Sequence, residues 1–423
     1  MPRPVALISP ETGKAYPLDD VRRIAFGDPA TFAVGRPVNL VPQYPEGTFT
    51  TEAFLNAFAM RRGVWDFAAL LPVDAETPPV SIGEGNTPLV SLPYGHGNLM
   101  LKDESRNATW SHKDRAMTVA LTVARGFGFR TTVGASTGNA GAALAAYSAR
   151  AGMRCVMFTG TDAPGTMQTL MQVYGAMLCL VPGSVSRRGA AKIGLERYGW
   201  WPGTNVTDPP VGSNTYGIEG YATIAYELVR DLGDAPAAVV VPTSYGDILT
   251  GLWRGFTRMQ AAGIIARLPR LIVAEPANAA PYGPALGAAT PPTIHAIPTD
   301  AFSIGGGTAS LQGLQALTES GGTAIAVDEA KILPMQAQVA REAGVYLEAA
   351  SVVGIVAARQ VATETDGLVV VIGTSTGLKD PAATARNLPA PPTIPVDADA
   401  LVAALRETYG VNADDLREKG AER

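Results

Sequence analysis

Thr131-Thr-Val-Gly-Ala-Ser-Thr-Gly-Asn139, running straight into Ala140-Gly-Ala-Ala-Leu-Ala-Ala-Tyr-Ser-Ala-Arg-Ala151, is the stretch that decides the fold. A β-branched run, Thr131–Ser136, enters a cluster of small polar residues, and a helical pattern leaves it. The same pattern recurs along the chain. Strand-like runs are Cys155–Gly160, Met177–Pro182, Ala238–Ser244, Leu271–Glu275, Thr323–Val327 and Leu368–Thr374. Between them, apolar residues fall at helical spacing in Ala140–Ala151, Thr223–Leu232 and Glu329–Gly344. Strands alternating with helices predict an α/β chain with open, mostly parallel twisted sheets covered on both faces.

Three of these runs end in Gly, Ser and Thr: Gly134-Ala-Ser-Thr-Gly-Asn139, Pro242-Thr-Ser-Tyr-Gly-Asp247 and Gly373-Thr-Ser-Thr-Gly377. In open α/β sheets, ligands bind outside the carboxyl ends of the strands. Small residues there let backbone N–H groups close on an anion at a helix N-terminus. Each cluster alone reads as a tight strand-to-helix turn. Together they indicate a ligand with several polar handles.

Working outward, the 423 residues carry a net charge of −5, and 47% are hydrophobic. The chain can bury a large core, and no basic stripe is present to neutralise nucleic-acid phosphates. Cys155 and Cys179 lie in apolar runs and are expected to be buried; their spacing excludes a Cys-x-x-Cys zinc site. Met1–Pro10 lacks a signal-peptide pattern, and no apolar run reaches the roughly 18 residues of a membrane span. The expectation is a soluble, cytoplasmic protein without a metal site. Residues 1–75 are irregular. Asn387–Asp399 reads as a proline-rich linker before a last helix from Ala398 to about Lys419.

The most unusual stretch is Lys102-Asp-Glu-Ser-Arg-Asn-Ala-Thr-Trp-Ser-His-Lys-Asp-Arg115. Ser111 followed by Asp114 predicts a capping box that opens a helix. Lys113 then falls in the first turn, where the helix dipole opposes a cation. A lysine held near positive potential has a lowered pKa and can attack an aldehyde. The bland alternative is an exposed lysine offset by Asp114.

Here the sequence resembles a known family. Asp103-Glu-x-x-Asn107-x-Thr-x-Ser111-x-Lys113-Asp-Arg115 is similar to the cofactor-lysine motif of threonine synthases, among the tryptophan-synthase-β-like (fold type II) pyridoxal-phosphate (PLP) enzymes. Gly83-Glu-Gly-Asn-Thr-Pro-Leu89, Ser136-Thr-Gly-Asn139, Leu347-Glu-Ala-Ala-Ser351 and Thr374-Ser-Thr-Gly-Leu-Lys-Asp-Pro381 resemble further family segments in the family's order. Ordered matches are far more specific than one short pattern. The resemblance implies that Lys113 holds the cofactor aldehyde and moves protons at Cα and Cβ. Asn139 would bond the cofactor ring hydroxyl, with Ser136, Thr137, Gly138 and Asn139 about the substrate carboxylate. Thr374 would face the ring nitrogen, and Thr243, Ser244, Tyr245, Gly246 and Asp247 would cradle the cofactor phosphate. It further implies two α/β domains with PLP in the cleft between them: 76–114 with 208–386 as the larger, and 115–207 as the smaller. Residues 1–75 would be an extension, and 387–423 the linker and last helix. The implied partners are a small amino-acid substrate and a second copy in a homodimer. The implied reaction is elimination or replacement at Cβ or Cγ, converting phosphohomoserine to threonine in the family.

Several positions depart from the pattern. Thr243-Ser-Tyr-Gly-Asp-Ile248 keeps only Gly246 of the family's glycine-rich cradle, and places Asp247 beside a phosphate. Val211 and Gly212 stand where the family has an Asn-Ser pair, Gly217 where it has an arginine. A lysine-bearing loop is changed to Asp162-Ala-Pro-Gly-Thr-Met167. A phosphate dianion needs positive partners, and Arg187, Arg188 and Lys192 are the substitutes in sight. Thr12-Gly-Lys-Ala-Tyr-Pro-Leu18 resembles a zinc-ribbon relic without its cysteines. His112 reads as a stacked ring before a proton-transfer group. Glu84 and Glu348 read either as site-ordering residues or as caps. Competing readings are a serine/threonine dehydratase or other β-replacement enzyme, a non-catalytic PLP-binding homologue, and a serine hydrolase. The last uses Gly134-x-Ser136-x-Gly138 as a nucleophile elbow, with His295 the only histidine after Ser136.

Overall fold

The computed structural model describes residues 4–19, 25–288 and 290–417. They fall into two compact units, Met1–Lys379 and Asp380–Arg423. The strands are β1 (Ala6–Ile8), β2 (Ala15–Tyr16), β3 (Val41–Gln43), β4 (Leu89–Ser91), β5 (Leu99–Asp103), β6 (Thr131–Ala135), β7 (Arg154–Thr159), β8 (Met177–Leu180), β9 (Trp201–Pro202), β10 (Ala238–Pro242), β11 (Arg270–Pro276), β12 (Thr323–Val327) and β13 (Val369–Gly373). The helices that bear on the site are α1 (Lys113–Gly126), α2 (Asn139–Ala151), α3 (Ser184–Tyr198), α4 (Thr215–Leu232), α5 (Asp247–Ala261), α6 (Leu311–Glu319) and α7 (Ala349–Thr363).

Two open sheets carry the first unit. The larger runs β12-β11-β10-β13-β5-β4, parallel except for the antiparallel edge pair β4 and β5. The smaller runs β8-β7-β6-β9 and is parallel throughout. The centre of the large sheet is Ala-Val-Val-Val-Pro in β10 and Val-Val-Val-Ile-Gly in β13, buried at every position. A parallel sheet covered by helices on both faces needs such unbroken apolar strands, because no face is left to water. β1–β3 form a separate antiparallel sheet near the N-terminus. No helix among the described residues is long and apolar enough to cross a membrane.

All seven strand-like runs of the sequence form strands, within two residues at each end. Three expectations are corrected. Cys155 is buried, but Cys179 is exposed, because β8 is an edge strand with few covered positions. The capping box does not form: His112 caps α1 without a side-chain bond, and both Asp114 oxygens accept from Thr109 instead. In the second unit, a helix spans Ala398–Tyr409 and stops at Gly410, whose φ of 69° takes the left-handed turn that ends many helices. The expected end at Lys419 lies outside the described residues.

Candidate active site

The turns that follow β6, β10 and β13 open on one cavity of about 610 Å³. Every candidate residue lines it: Ser136, Thr137, Gly138 and Asn139 after β6, Thr243–Asp247 after β10, Thr374 after β13, and Lys113 at the start of α1. The chain reaches one place from distant segments because parallel strands deliver all their carboxyl ends to the same side.

Lys113 is the first residue of α1, and its Nζ stands 5.6 Å from the centre of the Tyr221 ring. Burial pushes its pKa down, with Asp247 opposing. Desolvation favours the neutral, nucleophilic form of a lysine amine. The adjacent His112 ring lies 5.5 Å from the Tyr221 ring, tilted by 33°. Its Nδ1 is 3.1 Å from the Thr374 carbonyl. A carbonyl only accepts, so Nδ1 carries the proton. Burial, then the Lys113 charge, hold His112 well below its ordinary pKa, so it stays neutral. The stacked-ring reading of His112 fits this environment.

The turn after β10 leads directly into the N-terminus of α5. Gly246 caps α5 with φ 79°, and its N–H donates to Thr243 Oγ1 at 3.1 Å. The first N–H groups of a helix have no intrahelical acceptor and favour an anion. Asp247 would oppose one, but its carboxylate accepts from the Ser213 N–H at 3.1 Å and from the Gln312 amide at 2.9 Å. It is thus held by donors of its own.

Across the cavity, Asn139 is buried at the head of α2. Its Nδ2 donates to Glu348 at 2.8 Å, and its Oδ1 accepts from Lys379 at 2.7 Å and Ser375 at 3.1 Å. Burial pushes Lys379 down to about 8, with Glu348 and Asp114 opposing. Thr374 Oγ1 lies 2.7 Å from Ser351 Oγ, which accepts the Ser375 N–H at 2.9 Å. Glu348 therefore bonds into the site. Glu84 does not: it accepts from Trp65, Thr118 and Tyr147 and ties the N-terminal loops to α1 and α2.

The sequence left several lining residues unnoticed. Phe302–Thr308, with Gly305-Gly306-Gly307, forms a wall of the cavity beside the Thr243–Asp247 turn. A run of three glycines was the available signal. Of the three cations in sight, Arg187 and Arg188 line the cavity, whereas Lys192 pairs with Glu196 on the outside of α3.

Ser136 Oγ accepts from the Gly138 and Gly141 N–H groups at 3.2 and 3.1 Å. Ile294 and Ala296 line the cavity, but the His295 between them does not. This leaves the hydrolase reading without its base.

Residues 80–375 match the family model described as "Pyridoxal-phosphate dependent enzyme". Threonine synthase of Mycobacterium leprae (strain TN) is 33% identical over 345 residues, which is 79% of this chain and 93% of that protein. Threonine synthase of Methanocaldococcus jannaschii is 33% identical over 365 residues, 82% and 87% of the two chains. In structure, maize serine racemase matches with a TM-score of 0.60 at 19% identity, over 69% of this chain and 88% of its own. An L-serine ammonia-lyase from Rhizomucor miehei matches with 0.60 at 18% identity, over 71% and 96%. At such identities these structures speak for the fold.

The cavity fits the cofactor of that family: a desolvated amine for its aldehyde, a helix N-terminus for its phosphate, and hydroxyl and amide groups between them. The chain belongs to the pyridoxal-phosphate-dependent enzyme family, in its fold type II branch, and is an amino-acid lyase or synthase.

Proposed function

We propose that this enzyme carries out threonine-synthase-type elimination and replacement on a small amino acid bearing a leaving group at Cβ or Cγ. The observation that supports this most is Lys113: a desolvated amine in the same cavity as the Ser136–Asn139 turn, the Thr243–Asp247 turn and Thr374. The relationship to threonine synthases points the same way.

When bound, the cofactor supplies an electron sink for negative charge at Cα. The protein's part is to place protons and hold groups. The Lys113 amine takes and returns protons at Cα and Cβ, its lowered pKa suiting both directions. Backbone N–H groups of the Ser136–Asn139 turn, with the Ser136 and Thr137 hydroxyls, hold the substrate carboxylate. Asn139, fixed by Glu348 and Lys379, orients the ring hydroxyl side. The α5 N-terminus with Thr243 and Ser244 holds the cofactor phosphate, while Ser213 and Gln312 keep Asp247 satisfied. Thr374 offers a hydroxyl, not a carboxylate, to the ring nitrogen. That leaves the nitrogen less fully protonated, which suits elimination over maximal carbanion stabilisation. The two-domain division (76–114 with 208–386, and 115–207), a homodimer and a cytoplasmic setting complete this proposal. The separate sheets support the division, and the threonine synthase relationship supports the rest.

The test supplies O-phosphohomoserine and follows phosphate and threonine together. Stoichiometric release of both is expected. Deamination of serine or threonine to a keto acid, with phosphohomoserine untouched, would replace this reading with the dehydratase one.

A further inference from the structure

Four arginines from separate elements converge away from the catalytic cavity. A second, open cleft of about 550 Å³ lies where α1 and α2 end. Arg125 stands in the last turn of α1, and Arg150 in the last turn of α2. Arg130 directly precedes β6, and Arg154 opens β7, its N–H donating to the Arg130 carbonyl at 3.0 Å. Arg125, Arg130 and Arg154 line the cleft, and no acidic residue does. A Cβ at Gly128 or Gly152, also in its lining, would meet nothing within 4 Å, so the cleft is bare there.

This arrangement is unfavourable without a counter-charge. Burial, then the charge of Arg150, push the Arg125 pKa down. The Arg125 Nη2 is buried and has no hydrogen-bond partner. A buried guanidinium N–H without an acceptor is costly, and native structures rarely leave one so. Arg150 gives its Nε to the Ser81 carbonyl at 2.8 Å, which satisfies an N–H and leaves the charge in place. A cation in the last turn offsets the helix dipole, and that accounts for one arginine per helix. It does not account for Arg130 and Arg154, exposed at the amino ends of neighbouring parallel strands, where adjacent like charges repel. In a chain of net charge −5, the cluster inverts the sign locally.

We propose that this cleft is an effector site for a diphosphate group, free or carried on a nucleoside. Guanidinium groups match phosphate oxygens in pairs. Several arginines around one cleft suit an anion whose charge is spread over two centres. Phe129, half-buried in the lining, gives an organic carrier an apolar contact. The placement links the cleft to the catalytic cavity. α1 begins with Lys113 and α2 with Asn139, and each helix is roughly 20 Å long. An anion between the far ends of the two helices therefore bears on the elements that carry both residues.

The experiment uses holoenzyme, so that the cofactor's own phosphate site is filled. Binding of inorganic pyrophosphate and of ADP is measured by titration calorimetry for the wild type and R130Q/R154Q. Both arginines are exposed and lie outside the catalytic cavity, so the variant should keep its cofactor absorbance and its basal turnover. Its affinity for both ligands is expected to fall roughly tenfold or more, since hydrogen bonds to charged groups are lost. ADP binding tighter than pyrophosphate upholds the site with a carrier read as well, and equal affinities uphold it for the diphosphate alone. Saturating pyrophosphate should change O-phosphohomoserine turnover roughly twofold or more in the wild type and not in the variant. Unchanged affinity in the variant overturns the site. A turnover response that persists in the variant also overturns it, because the anion then acts in the catalytic cavity. Binding without any wild-type response overturns the effector role. The cleft does not rest on the catalytic reading: if phosphohomoserine is not turned over at all, that reading is contradicted and calorimetry alone decides the cleft.

Discussion

Arg115 shows how much of the site's rigidity rests on single buried charges. It is fully buried, with Nε 2.7 Å from Glu104, Nη1 2.7 Å from Glu227 and Nη2 3.2 Å from Thr87 Oγ1. Lys102, also fully buried, reaches the same Glu227 at 2.7 Å. Two cations and two carboxylates thus join β5 and the turn after it to α1 and α4, with Arg115 two residues along α1 from Lys113. Removing one partner of a buried ion cluster strands the others and costs about 3–5 kcal/mol. Arg115→Met is therefore expected to lower the denaturant midpoint sharply, and a wild-type midpoint would show the cluster to be dispensable. Glu275 supplies a pH-dependent counterpart. Burial raises its pKa to about 8 despite the Tyr282 N–H it accepts at 3.1 Å. The folded chain therefore holds a proton that the unfolded chain releases near the ordinary value of 4.5. Stability is fullest below that value and declines as pH rises through about 8. Glu275→Gln should flatten the decline, and an unchanged slope of stability against pH would assign it elsewhere. At this scale the sequence was partly legible. Lys113 stood out because it breaks a local rule of helix electrostatics. The partnership of Arg115 with Glu227 did not, because 112 positions separate them.

Among elements, the junction of β10 and α5 is the most exacting. Gly246 has φ 79°, and a Cβ there would lie 2.2 Å from Tyr282 Oη and 2.8 Å from Gly313 Cα on α6. The left-handed backbone alone costs a non-glycine residue roughly 1–2 kcal/mol, and the contact with α6 backbone cannot yield cheaply. Gly246→Ala should displace the Thr243–Asp247 turn and weaken cofactor affinity at least tenfold in a fluorescence titration. Unimpaired affinity would mean that the cofactor phosphate is held elsewhere. Strands such as Ala238–Pro242 were legible because β-branched runs between small residues have few other outcomes. β5 was missed, since Leu99–Asp103 ends in Lys-Asp; Lys102 is buried against Glu227, and Asp103 accepts from Ser105 and Arg106. The capping box failed because Thr109 offered Asp114 a backbone N–H and a hydroxyl together.

At the scale of the molecule, the order of the motifs carried the site. Five segments spread over residues 83–381 resemble one family, and parallel strands bring the turns after β6, β10 and β13 to one cavity. The antiparallel β1–β3 sheet was not legible, because strands of two and three residues leave no periodic signal. Nor was the Phe302–Thr308 wall, whose one signal, Gly305-Gly306-Gly307, names no chemistry by itself. The cofactor is expected on Lys113, and two buried lysines elsewhere make that assignment specific. Lys379, lowered to about 8, touches Asn139 in the same site, and Lys102 is buried against Glu227. The direct measurement is to load the purified protein with PLP, reduce it with borohydride and map the modified peptide. The visible absorbance band is expected to disappear, with the label on Lys113. A label on Lys379 or Lys102, or a Lys113→Ala variant that keeps both the band and turnover, would contradict it.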